Sequence, residues 1–347
     1  MLMIFDDAAN KIRAKIVGMY SVLVAFNIAA WIWALIEFHD SPVLLGTAFL
    51  AYSFGLRHAF DADHIAAIDN VTRKLMQEGR RPIAVGFFFS LGHSTIVVAL
   101  AVAIALTTAT LQDHFETFKS IGGLIGTTVS ALFLLAIAIA NILVFVQVYR
   151  AFQAVKKGGR LVEEDVDTLL SKRGFLGRIF GSLFRLIEHS WQMYPLGVLF
   201  GLGFDTATEV GLLGISAAQA SQGMAIWSIL VFPALFTAGM SLMDTTDSTL
   251  MVGAYGWAFV KPIRKLYYNM MITLVSVIAA LVVGGLEALN LIGDQFALQG
   301  AFWQFVGAVN DNFGLVGYGI VAFFIVSWIV SFLIYKTRGY DSLEAAR

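Results

Sequence analysis

The sequence predicts an all-α polytopic membrane protein with about eight transmembrane helices and an inverted structural repeat. Three observations predict it. Of 347 residues 58% are hydrophobic and 14% charged, mean hydropathy is +0.77, and eight apolar runs approach the ~20 residues that cross a hydrocarbon core as a helix. With 23 basic against 24 acidic residues the formal charge is -1, so the balance points to no nucleic-acid partner. Cysteine is absent. That excludes disulfides, thiolate-bound metal and thiol nucleophiles, and leaves His, Asp, Glu, Asn and backbone oxygens to supply any chemistry.

The first span, about 16 to 36, follows an amino-terminal segment without a small-residue cleavage site and reads as an uncleaved helix. The second, about 43 to 69, and the sixth, about 225 to 256, have short apolar parts that run into charged clusters. This is the pattern of interrupted or extended helices that line something polar. Spans at about 83 to 108, 120 to 149, 195 to 218, 267 to 290 and 316 to 335 complete the set. The one sizeable loop covers 150 to 194, where Phe175, Leu176, Ile179, Phe180, Leu183, Phe184 and Ile187 recur at helical spacing. They predict an amphipathic helix on the cytoplasmic face of the bilayer. Residues 1 to 347 thus read as a single membrane transport domain.

Basic residues set the orientation. All but Arg57 and Lys119 lie before the first span, after the last, or in the connections at 70 to 82, 150 to 194 and 257 to 266. Both termini are therefore expected in the cytoplasm, with the chain in the cytoplasmic (inner) membrane. Glu37, Asp40, Asp113, Glu116, Asp294 and Asp311 give the opposite surface a negative bias that would gather cations.

A faint repeat accompanies this plan. FGL at 54 to 56 with FDADHI at 60 to 65 parallels FGL at 200 to 202 with FDTATE at 204 to 209, and FSLGHS at 89 to 94 parallels FTAGMS at 236 to 241. The copies start three spans apart and so face opposite ways, a common transporter plan.

Four polar clusters interrupt the spans. RHAFDADHIAAIDN at 57 to 70 brings Arg57, His58, Asp61, Asp63 and His64, and LGHST at 91 to 95 brings His93. LGFDTATE at 202 to 209 brings Asp205 and Glu209, and GMSLMDTTDST at 239 to 249 brings Asp244 and Asp247. Each ionisable group at mid-bilayer costs at least ~2.5 kcal/mol. Six carboxylates against one arginine cannot all stay ionised there without water, protons or a bound cation. Neutral imidazole together with carboxylate oxygen suits first-row divalent metals. His58 and Asp61, and Asp61 and His64, are three apart and can share a helix face, whereas His58 and Asp63 cannot converge on a regular helix. Either the turn distorts or only part of the set binds. A buried hydrogen-bonded network at His58, Asp63 and His64, a carbonyl partner for His93, and salt-bridge or proton-relay roles for the acids of spans five and six stay open as alternatives.

At these clusters the sequence resembles the nickel/cobalt transporter family of secondary metal permeases. RHAFDADHIAAIDNVTR at 57 to 73 carries its hallmark of His, four residues and Asp-His, and the other three clusters are similar to its signatures in spans three, five and six. The resemblance implies eight spans with cytoplasmic termini and uptake of Ni²⁺ or Co²⁺ as transported substrate, with no cofactor. It makes His58, Asp63 and His64 essential to recognition, and it points to Asn27 and Phe60 for selectivity. His93 would assist binding, while Arg57, Asp61, Asp205, Glu209, Asp244 and Asp247 would line the path or balance charge. No Walker motif is present, so the chain itself supplies no ATP hydrolysis and the sequence requires no ATPase subunit. Two rivals are a proton-coupled carrier of another divalent metal or an organic solute, and an intramembrane protease. The second is disfavoured because Phe204 breaks the GxGD spacing and HExxH and GxSxG are absent.

Overall fold

The computed structural model describes residue 7 and residues 12–106, 112–156, 187–202, 207–258 and 262–338, and among them no strand occurs. The helices are α1 (Ile12–Phe38), α2 (Pro42–His58), α3 (Ala62–Gln77), α4 (Val85–Leu106), α5 (Gln112–Lys156), α6 (Met193–Phe200), α7 (Ala207–Ser221), α8 (Ile226–Ile229), α9 (Val231–Ala258), α10 (Pro262–Gln295), α11 (Ala301–Asn310) and α12 (Phe313–Thr337).

Six stretches are long and apolar enough to cross a bilayer: α1, α4, Leu124–Gln153 within α5, Ile226–Gly256 across α8 and α9, Leu266–Gln295 within α10, and α12. The α2–α3 pair makes a seventh, bent by 50°. The expected count of eight is not confirmed among the described residues: the run at 195 to 218 is described as two helices, with residues 203 to 206 outside the described residues. The first ends at Phe200 and the second begins at Ala207. Gly201 is the C-cap that closes α6. Of the two forms expected, the second span is the interrupted one and the sixth the extended one.

At both edges of the connection predicted at 150 to 194 the described chain is helical. α5 continues to Lys156, and a 3₁₀ turn at Ser190–Gln192 leads into α6. Most of the amphipathic stretch lies outside the described residues. Its last member, Ile187, is buried in a core cluster with Leu75, Met193 and Leu196, and its carbonyl accepts a hydrogen bond from Lys74 Nζ.

Large apolar side chains also stand on the outside, as solvation by lipid allows, while several ionisable ones are buried. Val43, Ile36 and Leu250 are 78%, 68% and 67% exposed, whereas His64, Asp69, Arg73 and Glu209 are all 0% exposed. Helices without a hydrophobic drive to associate rely on close backbone approach at small residues. α2 packs on α9, and α6 packs on α4. A methyl group on Gly55 would overlap the Phe236 carbonyl, and one on Gly197 would overlap the Phe89 carbonyl. Phe236 and Phe89 open the matching segments FTAGMS and FSLGHS, so the interrupted helix of each repeat copy rests on the through-helix of the other.

The break in the second span has local causes. Pro42 starts α2 with its fixed φ, and Ser41 caps the helix by accepting from the Leu44 N–H. At the far end Phe60 N–H donates to the Arg57 carbonyl at 2.9 Å and Asp61 N–H to the His58 carbonyl at 2.8 Å, which tightens the turn. Asp61 then takes an extended conformation as the N-cap of α3. From the other side Gly317 of α12 lies against the Phe60 carbonyl, too close for any side chain.

Candidate metal centre

His58 closes α2, His64 stands in the first turn of α3, and His93 lies in α4. On one straight helix His58 and His64 would face different sides. The bend removes that obstacle. The ring centroids of His58 and His64 are 4.6 Å apart, and each lies 4.8 Å from that of His93. One ligand nitrogen from each ring falls within 4.8 Å of the other two, and the Nε2 atoms of His58 and His93 are 3.0 Å apart. All three side chains are buried.

Carboxylates fix these rings. Asp61 Oδ2 is 2.8 Å from His58 Nδ1, and the two Asp244 oxygens are 3.5 and 3.3 Å from His64 Nδ1. A carboxylate at Nδ1 holds the ring proton there and leaves the Nε2 lone pair free for a metal. His64 Nε2 indeed has no hydrogen-bond partner among the described residues. Glu209, in the first turn of α7, puts Oε1 2.7 Å from His93 Nε2 and 3.8 Å from His58 Nε2. Thr208 Oγ1 lies 3.2 Å from His58 Nδ1. The starts of two interrupted helices, α3 and α7, thus supply most of the site.

A partly open cavity reaches this cluster. His58, Asp61, His93, Thr208 and Glu209 line it, joined by Asp63, Arg57, Ser130, Glu287 and Asp311. Five carboxylates against one guanidinium make its wall strongly anionic, and low-dielectric surroundings strengthen that field.

Not every expected residue joins the imidazoles. Asp63 is half-buried on the cavity wall instead. Asp247 lies one turn beyond Asp244 on α9, and its Oδ2 is buried with no hydrogen-bond partner among the described residues. Asp205 lies outside the described residues. Neither selectivity candidate lines the cavity. Asn27 donates to the Ala238 carbonyl at 3.2 Å and accepts from Tyr52 at 3.0 Å, tying α1 to α9 and α2. Phe60 stacks beside Tyr318 of α12 at 5.2 Å.

Two features escaped the sequence reading. One is Glu287 of α10, the single charged residue in an apolar run and therefore visible in principle. The other is a buried network further along α3. Arg73 donates to Ser276, Thr273 and Asn70 at 3.1, 3.2 and 3.3 Å, while Asp69 accepts from Ser276 at 2.6 Å and from Tyr255. Arg73 and Asp69 satisfy each other's surroundings through these hydroxyls, which makes a fully buried guanidinium tolerable.

Comparison with known proteins gives a consistent result. Residues 44–334 match the NicO family, described as high-affinity nickel-transport protein. A high-affinity nickel transport protein of Cupriavidus necator is 60% identical over 97% of this chain and 96% of its own length. The nickel transporter NixA of Staphylococcus aureus is 44% identical over 91% of this chain and 93% of its own. The cobalt transport protein NhlF of Rhodococcus rhodochrous is 39% identical over 91% and 90%. No solved structure matches the chain.

Proposed function

Since the chain belongs to the NicO family of high-affinity nickel-transport proteins, we propose that it carries Ni²⁺ or Co²⁺ through the cytoplasmic membrane as a secondary transporter, with both termini inside the cell. The observation that carries this reading is the buried trio of His58, His64 and His93, boxed by Asp61, Glu209 and Asp244 and met by an anionic cavity. Imidazole nitrogen with one carboxylate oxygen is a donor set for Ni²⁺, Co²⁺ or Zn²⁺ rather than for Mg²⁺ or Ca²⁺. Two metal–nitrogen bonds of about 2.1 Å at a right angle would set their nitrogens roughly 3 Å apart, which fits the 3.0 Å between the Nε2 atoms of His58 and His93.

In this reading the dication enters at the acidic mouth, gives up water to carboxylate oxygens, and is held by the three imidazoles with Glu209. Asp63, Asp205 and Asp247 line the route or balance its charge. The basic residues crowded into the connections at 70 to 82, 150 to 194 and 257 to 266 support the assigned orientation. Inward movement of two positive charges down 100 mV yields ~4.6 kcal/mol, a gradient on the order of a thousandfold, so the potential alone can drive accumulation.

Uptake of radiolabelled Ni²⁺ and Co²⁺ by cells expressing the wild type, His64→Ala and Asp63→Asn tests this. The wild type is expected to accumulate at least one ion and His64→Ala to lose nearly all transport at equal membrane insertion. Equal accumulation by wild type and His64→Ala would remove the imidazole trio from the mechanism.

A further inference from the structure

Glu287 belongs to none of the four polar motifs, yet it lies on the wall of the cavity that reaches His58 and His93. Its side chain is 5% exposed. Ser130 of α5 spans both carboxylate oxygens at 2.9 and 2.8 Å. The brace is firm because α5 and α10 touch closely one turn earlier, where Gly284 abuts Leu134 and the Ala131 carbonyl. A carboxylate sunk in an apolar helix is expensive to keep, and this one lies on the wall of a cavity lined by further carboxylates. The order of burial makes a series: Asp311 is exposed, Glu287 is almost covered, and His58 is 1% exposed. A second sign of a ligand comes from the same cavity, where the buried Nδ1 of His93 has no hydrogen-bond partner among the described residues.

We propose that Glu287, held by Ser130, is the loading carboxylate of the cavity: it exchanges part of the hydration shell of the incoming divalent cation for carboxylate oxygen and hands the ion to the imidazoles. Hard oxygen suits this step, because a hydrated dication meets it without surrendering every water at once, whereas the imidazoles hold the stripped ion. Glu287 therefore governs how fast the inner site fills rather than how tightly it holds. The inference rests on the cation-uptake reading and extends it to a residue outside the trio.

Three measurements on the full-length protein test it: initial rates of ⁶³Ni²⁺ uptake, equilibrium dialysis of ⁶³Ni²⁺ against purified protein in detergent, and the association rate of Ni²⁺. For Glu287→Gln the expected result is a KM raised about tenfold, a maximal rate lowered less than twofold, tenfold slower association, and one bound Ni²⁺ with wild-type affinity. Retained binding shows that the variant is folded. Glu287→Asp is expected to recover most of the association rate. An unchanged KM, or a lowered maximal rate at wild-type KM, overturns the proposal while wild-type uptake continues. Loss of equilibrium binding together with uptake also overturns it, since Glu287 would then belong to the holding site or to the fold. Absence of wild-type uptake would instead defeat the transport reading itself.

Discussion

The rings at the centre are useful only in one protonation pattern. An imidazole whose Nδ1–H is committed to a carboxylate presents Nε2 as a ligand, and Asp61 and Asp244 impose that choice on His58 and His64. Asp244→Asn keeps the size and removes the charge that anchors the proton. It is expected to weaken Ni²⁺ binding roughly 10- to 100-fold with insertion unchanged, as read by equilibrium dialysis of purified protein. Unaltered affinity would mean that Asp244 only fills space. These ionisable residues were legible in the sequence because charges within apolar runs stand out. Their division of labour was not, since which carboxylate meets which nitrogen depends on the approach of α7 and α9, far away in the chain. Asp63 shows the limit: the family hallmark groups it with His58 and His64, while in the structure it lies on the cavity wall and Glu209 stands beside the rings.

Among elements, the α2–α3 break decides the geometry. The sequence marked the second span as irregular, and the bend of 50° sits at the end of its apolar part. The eighth span is not confirmed among the described residues, because an apolar window cannot distinguish one helix from two, and the run at 195 to 218 holds both α6 and α7. Phe60 and Asn27 are placed on this level, Phe60 beside Tyr318 of α12 and Asn27 tying α1 to α2, and neither lines the cavity. Gly317 is the tightest part of the contact between Phe60 and α12. Gly317→Leu forces a side chain into the Phe60 carbonyl, a clash of the kind that costs about 1–3 kcal/mol or displaces the backbone. Gly319→Leu, in the same helix with open space around it, serves as the control. Thermal unfolding followed by size-exclusion fluorescence should show a lower midpoint and lost uptake for the first variant only. Equal midpoints would show that the bend tolerates a looser clasp.

Across the whole molecule, the ionisable groups of the site are buried among apolar side chains, so stability and ligand binding draw on the same buried atoms. Carboxylates and imidazoles gathered without a cation repel or compete for protons, and a bound dication relieves this. At a free concentration 100 times the dissociation constant, a ligand specific for the folded state contributes ~2.7 kcal/mol. Ni²⁺ is accordingly expected to raise the unfolding midpoint of the wild type by several degrees, while Mg²⁺ leaves it unmoved. His64→Ala should lose the Ni²⁺ effect, and an equal Ni²⁺ shift in that variant would place the stabilising ion elsewhere.

The glycine contacts at Gly55 and Gly197 carry a mechanical consequence. Because the interrupted helix of each repeat copy is seated on the continuous helix of the other, the two copies are clasped like folded arms. Pulling them apart as intact halves would unseat both glycines at once. Beyond those seats lie α3, set off from α2 by the bend at residues 59 to 61, and α7, which follows α6. These are the same segments that bear His64 and Glu209, so any swing that opens a door also loosens the grip on whatever stands in it.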